Sequence, residues 1–590
     1  MSNRNEFWLL IMLLTAIMTA TFPRLIAQTR IGLEFKGGQE IVFQAEPPAP
    51  GAAVDHDMLV AAASILEKRA NKLGVAEPAV NILGKDMIRV EITGVAPGDS
   101  LFVDLKNPNG LPLKLTEKYS ETVGGVLGAG DLHDTLRAAL IALGAVFIFL
   151  VFAYRGKGLI AVFATMVSLW LVLAAFVALH AVLSLAAIVA FVLAIGISSG
   201  ANIIAFERAR EEAAAGATAG RALKAGATKS FRTIADANAT VLICAVILLV
   251  AGLGPIRGFA LTTILGILAS FVANVLLARV LVRWFFGDDQ HTGLFGARST
   301  AGARGGIDFV RWSKYGIAVS LIALAAGGLS LVKRPLNLDI EFKPGTALDV
   351  TIDRPIGQDE ATDLIASAGM SPATVAIGGK NQNTIAARFD NVLDSSQVDA
   401  IIAKVKEAYG PGITYAENTA DPAVAKELAR KSVTVVLLAI LGTALFIWYR
   451  FDSRMAAASA VAVINSVLFV ISVFALLHLE IDITFIAAML IVVGYALNEA
   501  VVVFDRIREN ASAHYTEIVN RSIRQVMRRS LFTVLTVLAG AASLYFFGAE
   551  PLQMFSLAIF LGLVWGAFSS IFVAPRLWLA MRPKYAVIAA

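Results

Sequence analysis

Twelve stretches of this chain stay apolar over windows of about 19 residues, the length a helix needs to cross the hydrocarbon core of a bilayer. A segment in that core has no water to satisfy its peptide groups, so it must satisfy them internally as a helix. The stretches lie at roughly 7–27, 135–154, 158–180, 183–206, 234–253, 258–285, 314–332, 433–450, 455–478, 481–505, 531–547 and 552–577. Composition agrees. Of 590 residues, 57% are hydrophobic and only 16% charged, with a mean hydropathy of +0.71. Ordinary soluble domains carry about 25% charged residues. The net charge of +5 is small for the length, and its cations gather in loops. That is the positive-inside pattern of a membrane protein, not a nucleic-acid footprint. The lone Cys244 excludes a disulfide framework, and six scattered His show no zinc-type spacing. The run from Phe7 to about Ala27 is long for a signal peptide, and Pro23-Arg24 is a poor cleavage context, so it is expected to remain as a first helix with its N-terminus inside.

Two gaps, at about 28–133 and 333–431, are too long and too polar for simple loops. Each holds alternating runs such as Ile88-Arg89-Val90-Glu91-Ile92 and Leu348-Asp349-Val350-Thr351-Ile352, which predict compact α+β domains outside the membrane. Loops rich in Lys and Arg (Arg155 and Lys157, then 208–232, 283–314 and 506–529) alternate with short loops lacking both, such as His180-Ala181-Val182. Cation-rich loops belong in the cytoplasm, which places both α+β domains on the opposite face. The expected layout is a first transmembrane helix at 1–30, a first extracytoplasmic domain at 31–133 and helices two to six at 134–286. A Gly-rich cytoplasmic linker follows at 287–312, then helix seven at 313–332, a second extracytoplasmic domain at 333–431 and helices eight to twelve at 432–590.

The halves repeat. Gly196-Ile197-Ser198-Ser199-Gly200-Ala201-Asn202 leads to Phe206-Glu207-Arg208-Ala209-Arg210, and Gly494-Tyr495-Ala496-Leu497-Asn498-Glu499-Ala500 leads to Phe504-Asp505-Arg506-Ile507-Arg508. Outside the membrane, Gly32-Leu33-Glu34-Phe35-Lys36-Gly37-Gly38 recurs as Asp339-Ile340-Glu341-Phe342-Lys343-Pro344-Gly345, after the first helix of each half. Two copies of one-plus-five helices, each with a domain after its first helix, make a parallel-repeat plan.

These residues resemble the SecDF family, the membrane-integral accessory of the bacterial protein-export channel within the RND superfamily. The resemblance covers nearly the whole chain. Its SecD-like half carries residues 32–38, Gly74-Val75-Ala76-Glu77-Pro78, Gly84-Lys85-Asp86, Phe206-Glu207-Arg208, Asp236-Ala237-Asn238 and the stretch from Gly252 to Ala260. The SecF-like half carries Ile340-Glu341-Phe342, Gly494-Tyr495 and Val501-Val502-Val503-Phe504-Asp505-Arg506-Ile507-Arg508-Glu509-Asn510. The resemblance implies an RND-like polytopic α-helical membrane protein of about twelve helices in two pseudo-symmetric six-helix halves, with two extracytoplasmic α+β domains. It implies residence in the bacterial inner membrane, no enzymatic activity and no cofactor beyond a coupling ion, H⁺ or Na⁺. The partners it implies are the Sec translocon channel, an insertase and unfolded preprotein segments. The departures are specific. The family's membrane Asp falls at Gly200 in the first half and at Glu499 in the second, its His-Asp pair of the ninth helix falls at Asn465-Ser466, and its mobile head subdomain has no room between Gly94-Val95-Ala96-Pro97-Gly98 and Leu111-Pro112.

Glu499 lies six residues before Asp505, about 9 Å below the charged end of its helix, where a carboxylate must pair, face water or take a proton. Arg529 matches the family's Arg at the start of the eleventh helix, and an antiparallel neighbour is expected to bring it to Glu499 as a switching pair; the alternative is a static ion pair between two helices. Asp236, Asn202, Asn238 and Asn498 are candidate polar lining of the ion path. Asp236 is equally expected as a helix N-terminal acid near the interface, favoured there by the dipole. Ser198 and Ser199 suit a hydrated path or, more simply, close helix packing. Glu207, Arg208, Asp505 and Arg506 read as boundary anchors. No Walker motif, nucleophile–base motif or metal cluster is recognisable. The expected function is ion-driven assistance to protein export. The alternatives are a non-transporting scaffold on the export channel and an RND-type exporter of lipids or small molecules.

Overall fold

Each of the twelve apolar stretches is helical in the computed structural model of the protein, and each is long and apolar enough to cross a membrane. The structure describes residues 3–582 apart from positions 37, 47–53, 73–78, 84–85, 94–109, 124, 252–254, 287–306, 340–341, 344, 379–381, 411, 421 and 511–513. Most of the linker, the stretch where the head would be inserted and the motif residues at 74–78, 84–85 and 252–254 therefore lie outside the described residues.

In the membrane unit (Met1–Arg30, Thr135–Asn337 and Val433–Ala590) the fourth spanning helix (Leu185–Ala214) and the tenth (Ile483–Glu509) form the centre. In each, 89% of the most apolar window is buried, against 50% or less in the other ten. Their starts are built alike. Ser184 caps the fourth by accepting from the Ala187 N–H, and Asp482 caps the tenth by accepting from the Phe485 N–H at 2.9 Å. The fifth (Ala219–Ala251) and eleventh (Tyr515–Phe547) helices begin about four turns earlier than the apolar windows predict. Hydropathy marks only the part that meets lipid. The Ala- and Arg-rich approaches are strong helix formers and continue the same rod. The sixth and twelfth helices share a further feature: each passes through a π-helical stretch, Phe271–Leu277 and Ser569–Val573. Such turns commonly mark functional sites.

Small residues set the spacing at the centre. A Cβ at Gly196 would meet the Val537 Cγ2 at 2.7 Å, and one at Gly494 would meet the Val241 Cα at 3.1 Å. The fourth helix thus presses on the eleventh and the tenth on the fifth, each across the halves.

The second unit, Ile31–Asp134 with Leu338–Ser432, contains an eight-stranded sheet. Its strands are β1 (Gly38–Ala45), β2 (Ala79–Leu83), β3 (Met87–Thr93) and β4 (Leu115–Val123) from the first polar gap. The second gap supplies β5 (Gly345–Thr351), β6 (Thr374–Gly378), β7 (Thr384–Phe389) and β8 (Thr414–Ala420). The order is β2-β3-β1-β4-β8-β5-β7-β6, antiparallel throughout, so the second set mirrors the first about the β4–β8 pairing. Two α+β segments are present as expected, and they share one sheet: Val123 stands opposite Ala416 and Tyr119 opposite Ala420. The alternation read from sequence is the buried face. Ile88, Val90 and Ile92 pack with Leu59 and Leu66 of the helix His56–Lys72, and Leu348 and Val350 pack with Ile401 and Val405 of Ser395–Tyr409.

Candidate functional site

Glu499 is where the geometry departs furthest from ordinary packing. It is 2% exposed in the middle of the tenth helix. Its Oε1 accepts a hydrogen bond from the Thr533 hydroxyl of the eleventh helix at 3.2 Å, while Oε2 has no hydrogen-bond partner. A buried carboxylate oxygen left so is costly, and the cost falls if the group takes a proton. On the other side of Thr533 stands Gly200, whose missing Cβ would lie 3.8 Å from the Thr533 methyl, with no other atom within 4 Å. Position 200, where a second carboxylate would fall by the resemblance, thus has room for a Cβ in ordinary contact with Thr533, at the same junction as Glu499.

Arg529 makes no hydrogen bond or close ion pair with Glu499 in this structure, although each lies within electrostatic reach of the other. It lies one helical turn before Thr533, about 6 Å toward the Arg-rich end, and a long cationic side chain favours that direction. There it shares a small cavity with Glu211, Asp505 and Glu509, and its Nε has no hydrogen-bond partner.

That end of the fourth and tenth helices carries a reciprocal ionic ring. Arg208 reaches Glu211 on its own helix at 3.1 Å and Glu509 on the tenth at 2.9 Å. Arg506 reaches Glu509 on its own helix at 2.8 Å and Glu211 on the fourth at 2.9 Å. Glu207, 7% exposed, accepts from the Tyr154 hydroxyl at 3.0 Å and faces Arg210 and Arg528. Asp505 accepts from the Thr233 hydroxyl at 2.7 Å and faces Arg508. Glu207, Arg208, Asp505 and Arg506, read from the sequence as boundary anchors, also hold neighbouring helices, and Arg208 and Arg506 join the halves. The signal was one residue beyond the motif, since Glu211 and Glu509 follow the acids at the same i+4 spacing.

The reading of Asp236 is corrected. Because the fifth helix starts at Ala219, Asp236 sits well inside it, and its Oδ2 accepts from the Arg450 Nε at 2.6 Å. No feature of the sequence pointed to Arg450, which ends the eighth helix. Asn202 and Ser198 turn to a different partner, Asn274 of the π-helical stretch. The Asn202 amide donates to Asn274 Oδ1 at 2.6 Å, and the Asn274 amide donates to the Ser198 hydroxyl. Ser199 merely returns its proton to the Ile195 carbonyl at 2.7 Å. Asn238 and Asn498 each keep one buried amide atom without a hydrogen-bond partner. The Asn465-Ser466 pair is held in a neutral network: Asn465 accepts from Ser320 and donates to Ser569 at 2.9 Å, and Ser466 donates to Ser569 at 3.3 Å. The structure thus unites Glu499 with Thr533 beside Gly200, and ties Asp236, Asn202 and Ser198 to partners elsewhere.

Comparison with known proteins fits this doubled architecture. The family described as "Protein export membrane protein SecD/SecF, C-terminal" matches twice, at residues 109–288 and 401–584. The chain belongs to the SecD/SecF family. The N-terminal P1 domain of SecDF matches in addition at residues 59–101. Among curated relatives, the SecDF of Bacillus subtilis is 30% identical, covering 94% of this chain and 95% of its own. That alignment runs over 704 positions, more than the 590 residues present here, so the relative carries sequence that this chain lacks. The SecF of Alicyclobacillus acidocaldarius is 35% identical over 47% of this chain and 93% of its own. The fold is that of a solved SecDF from Thermus thermophilus, a translocon-associated membrane protein, at a TM-score of 0.85 and 24% identity over 96% of this chain and 99% of that one. A second SecDF structure, in a super-membrane-facing form, gives 0.69 over 98% of each chain, also at 24% identity.

Proposed function

We propose that this protein assists Sec-dependent protein export by coupling an ion gradient to movement of its sheet-bearing unit. The observation that carries the proposal is Glu499: a carboxylate enclosed at a helix junction, with one oxygen held by Thr533 and the other without a hydrogen-bond partner. Proton uptake there removes a buried charge, and release restores it, so the two forms favour different packing of the tenth and eleventh helices. Arg529, one turn away and unpaired with Glu499, is the cation that the ionised form attracts. H⁺ is the coupling ion favoured by a single carboxylate, with Na⁺ the alternative. The Arg-rich ends face the cytoplasm of a bacterial inner membrane, the sheet unit faces outward, and the partners are the Sec channel, an insertase and unfolded preprotein.

A second reading, a non-transporting scaffold bound to the export channel, is favoured by Gly200 and by the neutral network at Asn465 and Ser466. Pulse-chase export of a reporter preprotein in a strain lacking SecDF separates the two. The coupling reading expects the parent gene to restore export and Glu499→Gln to fail at equal protein level. Equal rescue by both assigns the protein to the scaffold reading and removes Glu499 from the mechanism.

A further inference from the structure

Cations near the ends of the spanning helices mostly meet carboxylates: Arg208, Arg450, Arg506, Arg528 and Arg582 each have one within 3.5 Å. One group does not. Arg221 and Lys224, near the start of the fifth helix, and Arg279 and Arg283, at the end of the sixth, line a single cavity of about 550 Å³ whose described lining contains no acid. Arg221 donates to the Thr218 hydroxyl, and Lys224 and Arg283 have no ion-pair or hydrogen-bond partner among the described residues. Arg279 is held in place by the Ala227 carbonyl at 2.9 Å and by the Phe231 ring at 5.5 Å, which fixes a guanidinium without neutralising it. Four like charges around one hollow repel one another, and an anion relieves that repulsion. The rest of the lining is mostly apolar, with Phe206, Leu223, Val275 and Val282, and carries the neutral polar groups of Asn202, Thr228 and Asn274.

A basic rim over an apolar wall, at the end of membrane-spanning helices, matches a phosphate carried on acyl chains. We propose that this cavity binds the headgroup of an anionic phospholipid, its phosphate among Arg221, Lys224, Arg279 and Arg283 and its chains along the apolar wall. Its volume lies in the range of small-molecule sites. Glu499 and Arg529 do not line this cavity, whereas Asn202, a candidate for the ion path, does.

The test uses the purified, delipidated full chain in neutral detergent, titrated with phosphatidylglycerol, phosphatidylcholine or inorganic phosphate, with thermal unfolding and native mass spectrometry as readouts. Lys224→Gln with Arg283→Gln is the informative variant, because both side chains are exposed and have no partner among the described residues, so folding is spared. Phosphatidylglycerol is expected to raise the Tm and to remain bound in the mass spectrum, phosphatidylcholine not, with the double variant binding roughly thirtyfold more weakly. Equal effects of the two lipids, or of parent and variant, overturn the proposal. A Tm rise with inorganic phosphate equal to that with phosphatidylglycerol also overturns it, by assigning the site to a soluble anion.

Discussion

The Asp236–Arg450 pair lets the joint between the two halves be weighed. Asp236 belongs to the fifth helix and Arg450 to the end of the eighth; their side chains are 12% and 7% exposed, and the contact is 2.6 Å. At an effective dielectric of about 20, two charges this close attract by about 6 kcal/mol, much of which offsets their desolvation. Removing one partner keeps the desolvation and loses the attraction. Asp236→Asn is therefore expected to destabilise by about 3 kcal/mol, the low end for a buried pair because both groups retain some access to water. Arg450→Met costs a similar amount and also loses the guanidinium contact with Phe451 at 5.1 Å. The double variant leaves no unpaired charge, so it falls about 3 kcal/mol short of the sum of the two. Equilibrium unfolding of the four proteins in mixed micelles measures this as a double-mutant cycle. Additivity within about 0.5 kcal/mol refutes the coupling and, with it, the claim that this pair fastens the fifth helix to the eighth.

Three further outcomes follow from particular contacts. Glu509→Gln should lower stability by about 1 kcal/mol, and adding Arg208→Gln should cost less than the two changes made separately, because they share the contact across the halves. Gly196→Ala should cost about 1–3 kcal/mol against the Val537 side chain and backbone, whereas Gly200→Ala, whose Cβ makes only an ordinary contact with the Thr533 methyl, should change the Tm little. In the sheet unit, bonds from Ser396 and from the Gln397 N–H hold the Asp394 carboxyl below the usual aspartate range. A lowered folded value means the capping contribution is complete above the unfolded aspartate value of about 3.9 and fades as pH falls through the folded one. Intrinsic-rate-corrected hydrogen exchange across 395–409 should lose protection as pH falls below about 4 in the parent, and show no such step in Asp394→Ala.

The family was legible early because its marks are local. Apolar length fixes spanning helices, the acid-Arg-x-Arg exits are short linear motifs, and Ile88, Val90 and Ile92 announce a strand by period alone. The burial of Glu499 was readable for the same reason, as its distance from Asp505 is counted along one helix. What its carboxylate touches was not. Thr533 resembles any other Thr in an apolar helix, and Asn274 and Arg450 sit 72 and 214 residues from the partners they serve.

By itself, then, the sequence determined the twelve long apolar helices, the doubled plan and the place of Glu499 inside its helix, because each depends on a few neighbouring residues. Tertiary structure alone decided that the two polar segments share one sheet, that Arg208 and Arg506 exchange partners across the halves, and that Arg529 shares a cavity with Glu211, Asp505 and Glu509. Those outcomes depend on which faces meet when helices cross, and a rotation of one residue, about 100°, turns a side chain from one neighbour to another.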